Sequence, residues 1–95
     1  MDTVQEIIEK CKTVAVVGLS PQPDRDSYAV AQYLQSQGYR IIPVNPRVEE
    51  VLGEKSYPDL KSIPEPVDVV DIFRRPEEAL PLVEQAVEIG ARAVW

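Results

Sequence analysis

The sequence predicts an α/β domain built on a parallel sheet, and three observations predict it. The runs 13–17 and 67–73 are dominated by valine and isoleucine, the composition of strands covered on both faces. A stretch with the three-and-four spacing of an amphipathic helix follows each run, the first ending at Gly38 and the second at Gly90. Strand and helix alternate along the chain, which implies parallel strands joined by right-handed crossovers. With 95 residues, the chain is read as one domain spanning 1–95.

Each element has its own signal. Thr3 and Glu6 have capping-box spacing, and Val4, Ile7, Ile8 and Cys11 form an apolar stripe behind them, so the chain is expected to open with a short helix. Thr13-Val14-Ala15-Val16-Val17 is the first strand. Asp26 or Ser27 is expected to cap the next helix, with Val30, Tyr33, Leu34 and Gln37 on one face and Gly38 as the stop. Arg40-Ile41-Ile42-Pro43-Val44 is the second strand, and Pro43 must sit where no amide donor is needed. Pro46, Pro58, Pro64 and Pro66 then break the chain into turns, with at most one helical turn near 48–52. Residues 67–73 form the third strand. Pro81 suits the first turn of a helix whose face is Val83, Ala86 and Val87 and whose end is Gly90. Arg92-Ala93-Val94-Trp95 begins a fourth strand. Numbered in this way, the strands are expected in the order 3-2-1-4, a three-layer Rossmann-like sheet that is short at its C-terminus.

Composition narrows the functional classes. A formal net charge of −6 disfavours nucleic acid and anionic membranes as partners. The absence of histidine removes the commonest general base and metal ligand, so no catalytic residue and no metal site are assigned. One cysteine permits no internal disulfide and fits a reducing compartment, so a cytoplasmic location is expected. On the apolar stripe, Cys11 reads as a small buried residue. Asp68 and Asp71 are three apart on a strand and face opposite ways, so they make no acid–base pair. The latter is expected to orient a loop.

The stretch AVVGLSPQPDRDSY carries the functional signal. In open α/β sheets, ligands bind outside the carboxyl ends of the strands, at the point where strand order reverses. Gly18 permits close backbone approach there. The loop amides and the following helix N-terminus suit an anion, Ser20 and Ser27 add hydroxyls, and Arg25 adds a planar donor fork. Pro21 and Pro23 stiffen the loop. A strand–glycine–helix turn also occurs in domains that bind no phosphate, and this loop lacks GxGxxG. The other strand ends reinforce the reading. Where an NAD site carries an acid after the second strand, this chain has Asn45-Pro46-Arg47, which suits extra phosphate better than plain NAD. The third strand ends in Phe73-Arg74-Arg75, offering a ring to a base and a cation to a phosphate.

These motifs, GLSPQPDRDS, the VNP after the second strand and VDVVDIFRR, resemble the small bacterial and archaeal CoA-binding domain proteins. Those are single-domain relatives of the CoA-binding domain of the succinyl-CoA synthetase α subunit, and the resemblance covers essentially the whole chain. It implies a Rossmann-like sheet with coenzyme A or acyl-CoA lying across the carboxyl ends of the strands. Gly18, Leu19 and Ser20 would contact the phosphates, and Arg25 and Ser27 would add charge and hydroxyl contacts with Tyr28 beside them. Asn45 and Pro46 would border the nucleotide, and Phe73 and Arg74 would flank the adenine or a phosphate. The synthetase subunit uses a phosphorylated histidine on a separate domain, and no counterpart is present here. Family members usually continue beyond the AVW segment, whereas this sequence stops at Trp95. A homodimer through the exposed sheet edge or face would restore cover.

The resulting expectation is a non-catalytic CoA-binding module. Two alternatives stay open: a subunit of an acyl-CoA-handling enzyme whose partner supplies the chemistry, and a module sensing NADP or another adenine nucleotide.

Overall fold

The computed structural model describes residues 12–95, so the expected helix at Thr3–Cys11 lies outside the described residues. Strand β1 (Thr13–Val17) leads through a loop into helix α1 (Asp26–Ser36) and strand β2 (Arg40–Val44). A small hairpin, β3 (Glu50–Val51) and β4 (Glu54–Lys55), and a 3₁₀ turn (Leu60–Ser62) precede β5 (Val69–Ile72). Helix α2 (Pro76–Glu88) and the short strand β6 (Ala93–Val94) complete the described chain.

The main sheet is parallel throughout, in the order β2-β1-β5-β6. This corrects the expected 3-2-1-4, because the run at 67–73 pairs with β1 and not with β2. The outer edge of β2 is taken by a segment the sequence hides. Tyr57 makes an isolated parallel bridge to Val44, donating its amide to Pro43 O at 3.0 Å and accepting from Asn45 N at 2.9 Å. Ser56-Tyr57 is too short to register as a strand in the sequence, so the next apolar run takes its place in the expected order. Pro43 faces this outer edge with its carbonyl, and its missing N–H leaves the ladder to β1 intact.

Two apolar layers cover the sheet. On one face Val14, Val16, Ile41 and Val69 pack with Ala31 and Leu34 of α1 and with Leu19. On the other, Ala15, Val17, Ile42, Val44 and Val70 pack with Ala86 of α2 and with Leu60 and Val67. Alternate residues of β1 therefore enter opposite layers, as period-two geometry requires. The buried stripe of α1 is Ser27, Ala31 and Leu34. The expected face is rotated, since Val30 is exposed and Tyr33 is 63% exposed. On α2, Ala86 is buried but Val87 is 70% exposed.

Both helices stop as their glycines predict. Gly38 (φ 91°) and Gly90 (φ 83°) adopt the left-handed conformation. Tyr39 N reaches Leu34 O and Gly38 N reaches Gln35 O; Ala91 N reaches Ala86 O and Gly90 N reaches Val87 O. These are paired Schellman closures. The helix starts differ from expectation. Helix α1 begins at Asp26 after Arg25, with no side-chain cap. Helix α2 begins at Pro76, five residues before Pro81, which therefore lies inside the helix. The expected turn at 48–52 is instead the start of the β3–β4 hairpin, whose two-residue loop has Leu52 at φ 55° and Gly53 at φ 77°. Positive φ at both positions is the type I′ geometry that matches strand twist. Leu-Gly is not the usual Asn-Gly signal for it.

Candidate functional site: an arginine-lined cavity at the strand ends

Register places three loops at one level. Gly18 N donates to Val44 O at 2.9 Å, and Phe73 N donates to Val17 O at 2.9 Å, so β1, β2 and β5 end together. At the other end of the sheet, the carboxylate of Asp68 accepts from Lys12 N and Thr13 N, both at 3.0 Å, and fixes how β1 enters. The order in which the chain lays down its strands reverses between β1 and β5, so the switch point lies between Gly18 and Phe73. The corrected strand order thus brings residues 73–75 directly beside the glycine loop.

The loop after β1 is internally fastened. Ser27, buried at the start of α1, accepts from Ser20 N through its hydroxyl at 3.0 Å. The Ser20 hydroxyl accepts from Gln22 N at 3.1 Å. Leu19 is fully buried and drives the loop down onto the core. Gly18 has φ 83°, and a Cβ there would lie 2.6 Å from Phe73 O and 3.1 Å from Arg74 Nε. The approach of β5's exit to β1's exit therefore requires glycine.

These loops enclose an open cavity of about 730 Å³. The first loop and α1 contribute Gly18, Ser20, Gln22, Arg25, Asp26 and Ser27 to its wall. Asn45 and Arg47 come from the loop after β2, and Phe73, Arg74, Arg75 and Glu78 from the loop after β5 and the first turn of α2. Neither α1 nor α2 has a side-chain cap, so two helix N-termini border one space; the first-turn amides of α1 are unclaimed, whereas in α2 Pro76 has no N–H and Glu78 N donates to Arg75 O at 2.9 Å. Four arginines share it with two carboxylates. Three basic groups elsewhere are engaged: Arg40 with Glu65 and Glu54, Lys61 with Glu88 at 2.9 Å, and Lys55 over the Tyr57 ring. The guanidiniums of Arg47, Arg74 and Arg75 have no ion-pair or hydrogen-bond partner among the described residues, and Arg25 makes only a 3.4 Å bond to Gln22. A positive rim in a chain of charge −6 is a local reversal built from unpaired cations.

Of the residues singled out in the sequence, Gly18, Ser20, Arg25, Ser27, Asn45, Phe73 and Arg74 meet in this cavity. Three do not line it. Leu19 turns its side chain into the core because it is the only large apolar group of the loop. Tyr28 is half-buried and packs against the same core. Pro46 lines a neighbouring cavity of about 520 Å³ on the hairpin side. Arg47 and Arg75, cations that the sequence sets just after strand ends, belong to the wall. Gln22, Asp26 and Glu78 had no signal of their own; Glu78 enters because α2 starts at Pro76. Asp71 lies outside the cavity and makes no hydrogen bond to a loop among the described residues; burial raises its carboxyl above the usual aspartate range.

A profile of the CoA binding domain matches residues 12–95. The chain belongs to that family. It is 45% identical over 92 residues to the uncharacterized protein YneT of Bacillus subtilis, covering 97% of this chain and 68% of YneT. Over 60 residues it is 43% identical to the acetate–CoA ligase [ADP-forming] II subunit alpha of Pyrococcus furiosus, covering 62% of this chain but 13% of the subunit. A solved structure of a hypothetical protein from Pyrococcus horikoshii OT3 superposes with a TM-score of 0.92 at 47% identity, covering 96% of this chain and 64% of that one. The dinucleotide-forming acetyl-coenzyme A synthetase 1 of Ca. Korarchaeum cryptofilum, solved with phosphate and ADP, gives a TM-score of 0.79 at 28% identity and covers 87% of this chain and 18% of that one. The family's domain thus occurs both in small proteins and as a minor part of large CoA ligases. Among the described residues no helix is long and apolar enough to cross a membrane.

Proposed function

We propose that this chain binds coenzyme A or acyl-CoA in the arginine-lined cavity and is itself non-catalytic. The observation that carries the reading is the convergence of Arg25, Arg47, Arg74 and Arg75 with two uncapped helix N-termini on one cavity at the switch point of the sheet. Membership of the CoA binding domain family supports the same ligand. The diphosphate meets the α1 N-terminus and Arg25. The Ser20 hydroxyl, already accepting from Gln22, still has its proton to donate. Arg74, lying over Gly18, and Arg47 take the remaining phosphate charge, and the half-buried ring of Phe73 offers a face to the base. The wall holds hydroxyls, two amides, guanidiniums and two carboxylates, but no histidine or cysteine to activate a nucleophile. Its work is recognition. The likeness to the acetate–CoA ligase subunit supports a second reading, in which a partner chain supplies the chemistry and this chain presents CoA to it.

Titration calorimetry with CoA tests the proposal. Binding is expected, and Arg25→Ala and Arg74→Ala should each weaken it by about tenfold or more, the scale of one charged hydrogen bond. Absence of both heat and thermal shift with CoA overturns the reading. A larger shift with NADP or ATP in the same panel replaces CoA with another adenine nucleotide. Turnover of acyl-CoA by the purified chain alone would refute the non-catalytic assignment.

A further inference from the structure

Each polar atom of Asn45 makes a hydrogen bond. Its amide N–H donates to Tyr57 O at 2.9 Å, and its carbonyl accepts from the hydroxyl of Ser56, a buried side chain, at 3.1 Å. In the side chain, Nδ2 donates to Leu19 O at 3.1 Å and Oδ1 accepts from Arg47 N at 2.9 Å. The residue also stands on the wall shared by the arginine-lined cavity and the smaller hairpin-side cavity. One short planar group therefore ties the glycine loop after β1 to the arginine loop after β2. Nδ2 keeps a second N–H and Oδ1 a second lone pair, but the two bonds that are made join the loops whether or not a ligand is present.

We propose that Asn45 is a positioning residue: acting through Leu19 and Arg47, it sets the spacing of the two loops that receive the anion, a role separate from any contact of its own with the ligand. Only an amide supplies a donor and an acceptor at this length. The substitution Asn45→Asp would keep the acceptor for Arg47 N but would set a carboxylate oxygen against Leu19 O. The far side of the loop is already fixed by Ser20 N on Ser27. Releasing Leu19 therefore frees the loop at its second fastening. The Arg47 guanidinium has no side-chain partner among the described residues, so its position follows its backbone, which Asn45 holds.

The ligand readout rests on the CoA reading, but the loop readout does not. Asn45→Asp, Asn45→Ser and Asn45→Ala are compared with the unaltered chain by amide hydrogen exchange without ligand, by urea unfolding and by CoA calorimetry. Faster exchange confined to peptides covering 18–24 and 46–48 is expected, with the sheet unchanged and CoA affinity reduced about tenfold. Arg25→Ala, a contact variant, should lose affinity without loosening these peptides. Weaker CoA binding with unchanged loop exchange would make Asn45 a direct contact and overturn the proposal. Uniformly faster exchange with a matching drop in urea midpoint, or unfolding of all three variants, would overturn it in favour of a general structural role. If the unaltered chain fails to bind CoA while the two loops still loosen in the variants, the ligand assignment falls and the positioning role stands.

Discussion

Gly18 concentrates the demands that the site makes on a single residue. Its φ of 83° is a conformation that costs a side-chain-bearing residue about 1–2 kcal/mol. A Cβ would also meet the Phe73 carbonyl oxygen at 2.6 Å, and that oxygen is backbone held by the β5 register. Gly18→Ala must therefore separate the exits of β1 and β5. The expected result is a loss of about 2 kcal/mol or more in urea unfolding, with CoA affinity falling further than in Arg25→Ala because Arg74 moves with Phe73. Unchanged stability would mean that the two exits are not rigidly apposed. At this scale much of the site was legible. Glycine, serine and arginine in the first loop, and the cations after the other strands, are read from chemistry and from their place after a strand. The role of Asn45 was not. Its residue type is compatible with holding a ribose, and only coordinates show Leu19 O and Arg47 N occupying its amide. Leu19 likewise gave no sign that its side chain anchors the loop from below.

Among the elements, ends were easier to read than beginnings. Gly38 and Gly90 mark their helix stops because a left-handed C′ position strongly favours glycine. The starts carry no side-chain cap, so the usual serine or aspartate signal pointed a residue or two late in α1 and to the wrong proline in α2. At α1 the missing cap suits the proposed role, since a capping side chain would occupy the amides that an anion needs. Pro81, inside α2, has no amide to give to the Glu77 carbonyl and crowds that turn. Its side chain is exposed and does not line the arginine cavity. Pro81→Ala should therefore stabilise the chain by up to about 3 kcal/mol, the helix-interior difference between the two residues. The urea midpoint should rise and CoA affinity should stay the same. A lower midpoint would show that the proline stabilises more by restricting the unfolded chain than it costs in the helix.

For the whole molecule, the α/β class and parallel sheet follow from the alternation of apolar runs and helix patterns. The strand order does not, because a single bridging residue, Tyr57, holds the edge of β2. That correction decides where charge gathers. Residues 73–75 sit beside Gly18, and the positive rim is condensed at one end of a body measuring 38 × 29 × 26 Å. The wall's four arginines outnumber its two carboxylates, so the rest of the chain carries the whole acidic excess behind the net charge of −6. Two opposing fields then act on an anionic ligand, with different ranges. The arginines act at contact distance, while carboxylates beyond the wall act through solvent that screens charge over a Debye length of about 10 Å at 0.1 M salt. At that ionic strength the distant repulsion is already screened, and added salt chiefly weakens the contacts at the rim. CoA affinity should fall by severalfold between 0.1 and 0.5 M salt, a range of about 10 to 4 Å in screening length. Arg25→Ala should show a shallower dependence, having one fewer cation to screen. Calorimetric titrations at several salt concentrations check both slopes. An affinity that rises with salt would mean that the acidic surface governs binding, and it would remove the local charge reversal from the account of how this chain holds its ligand.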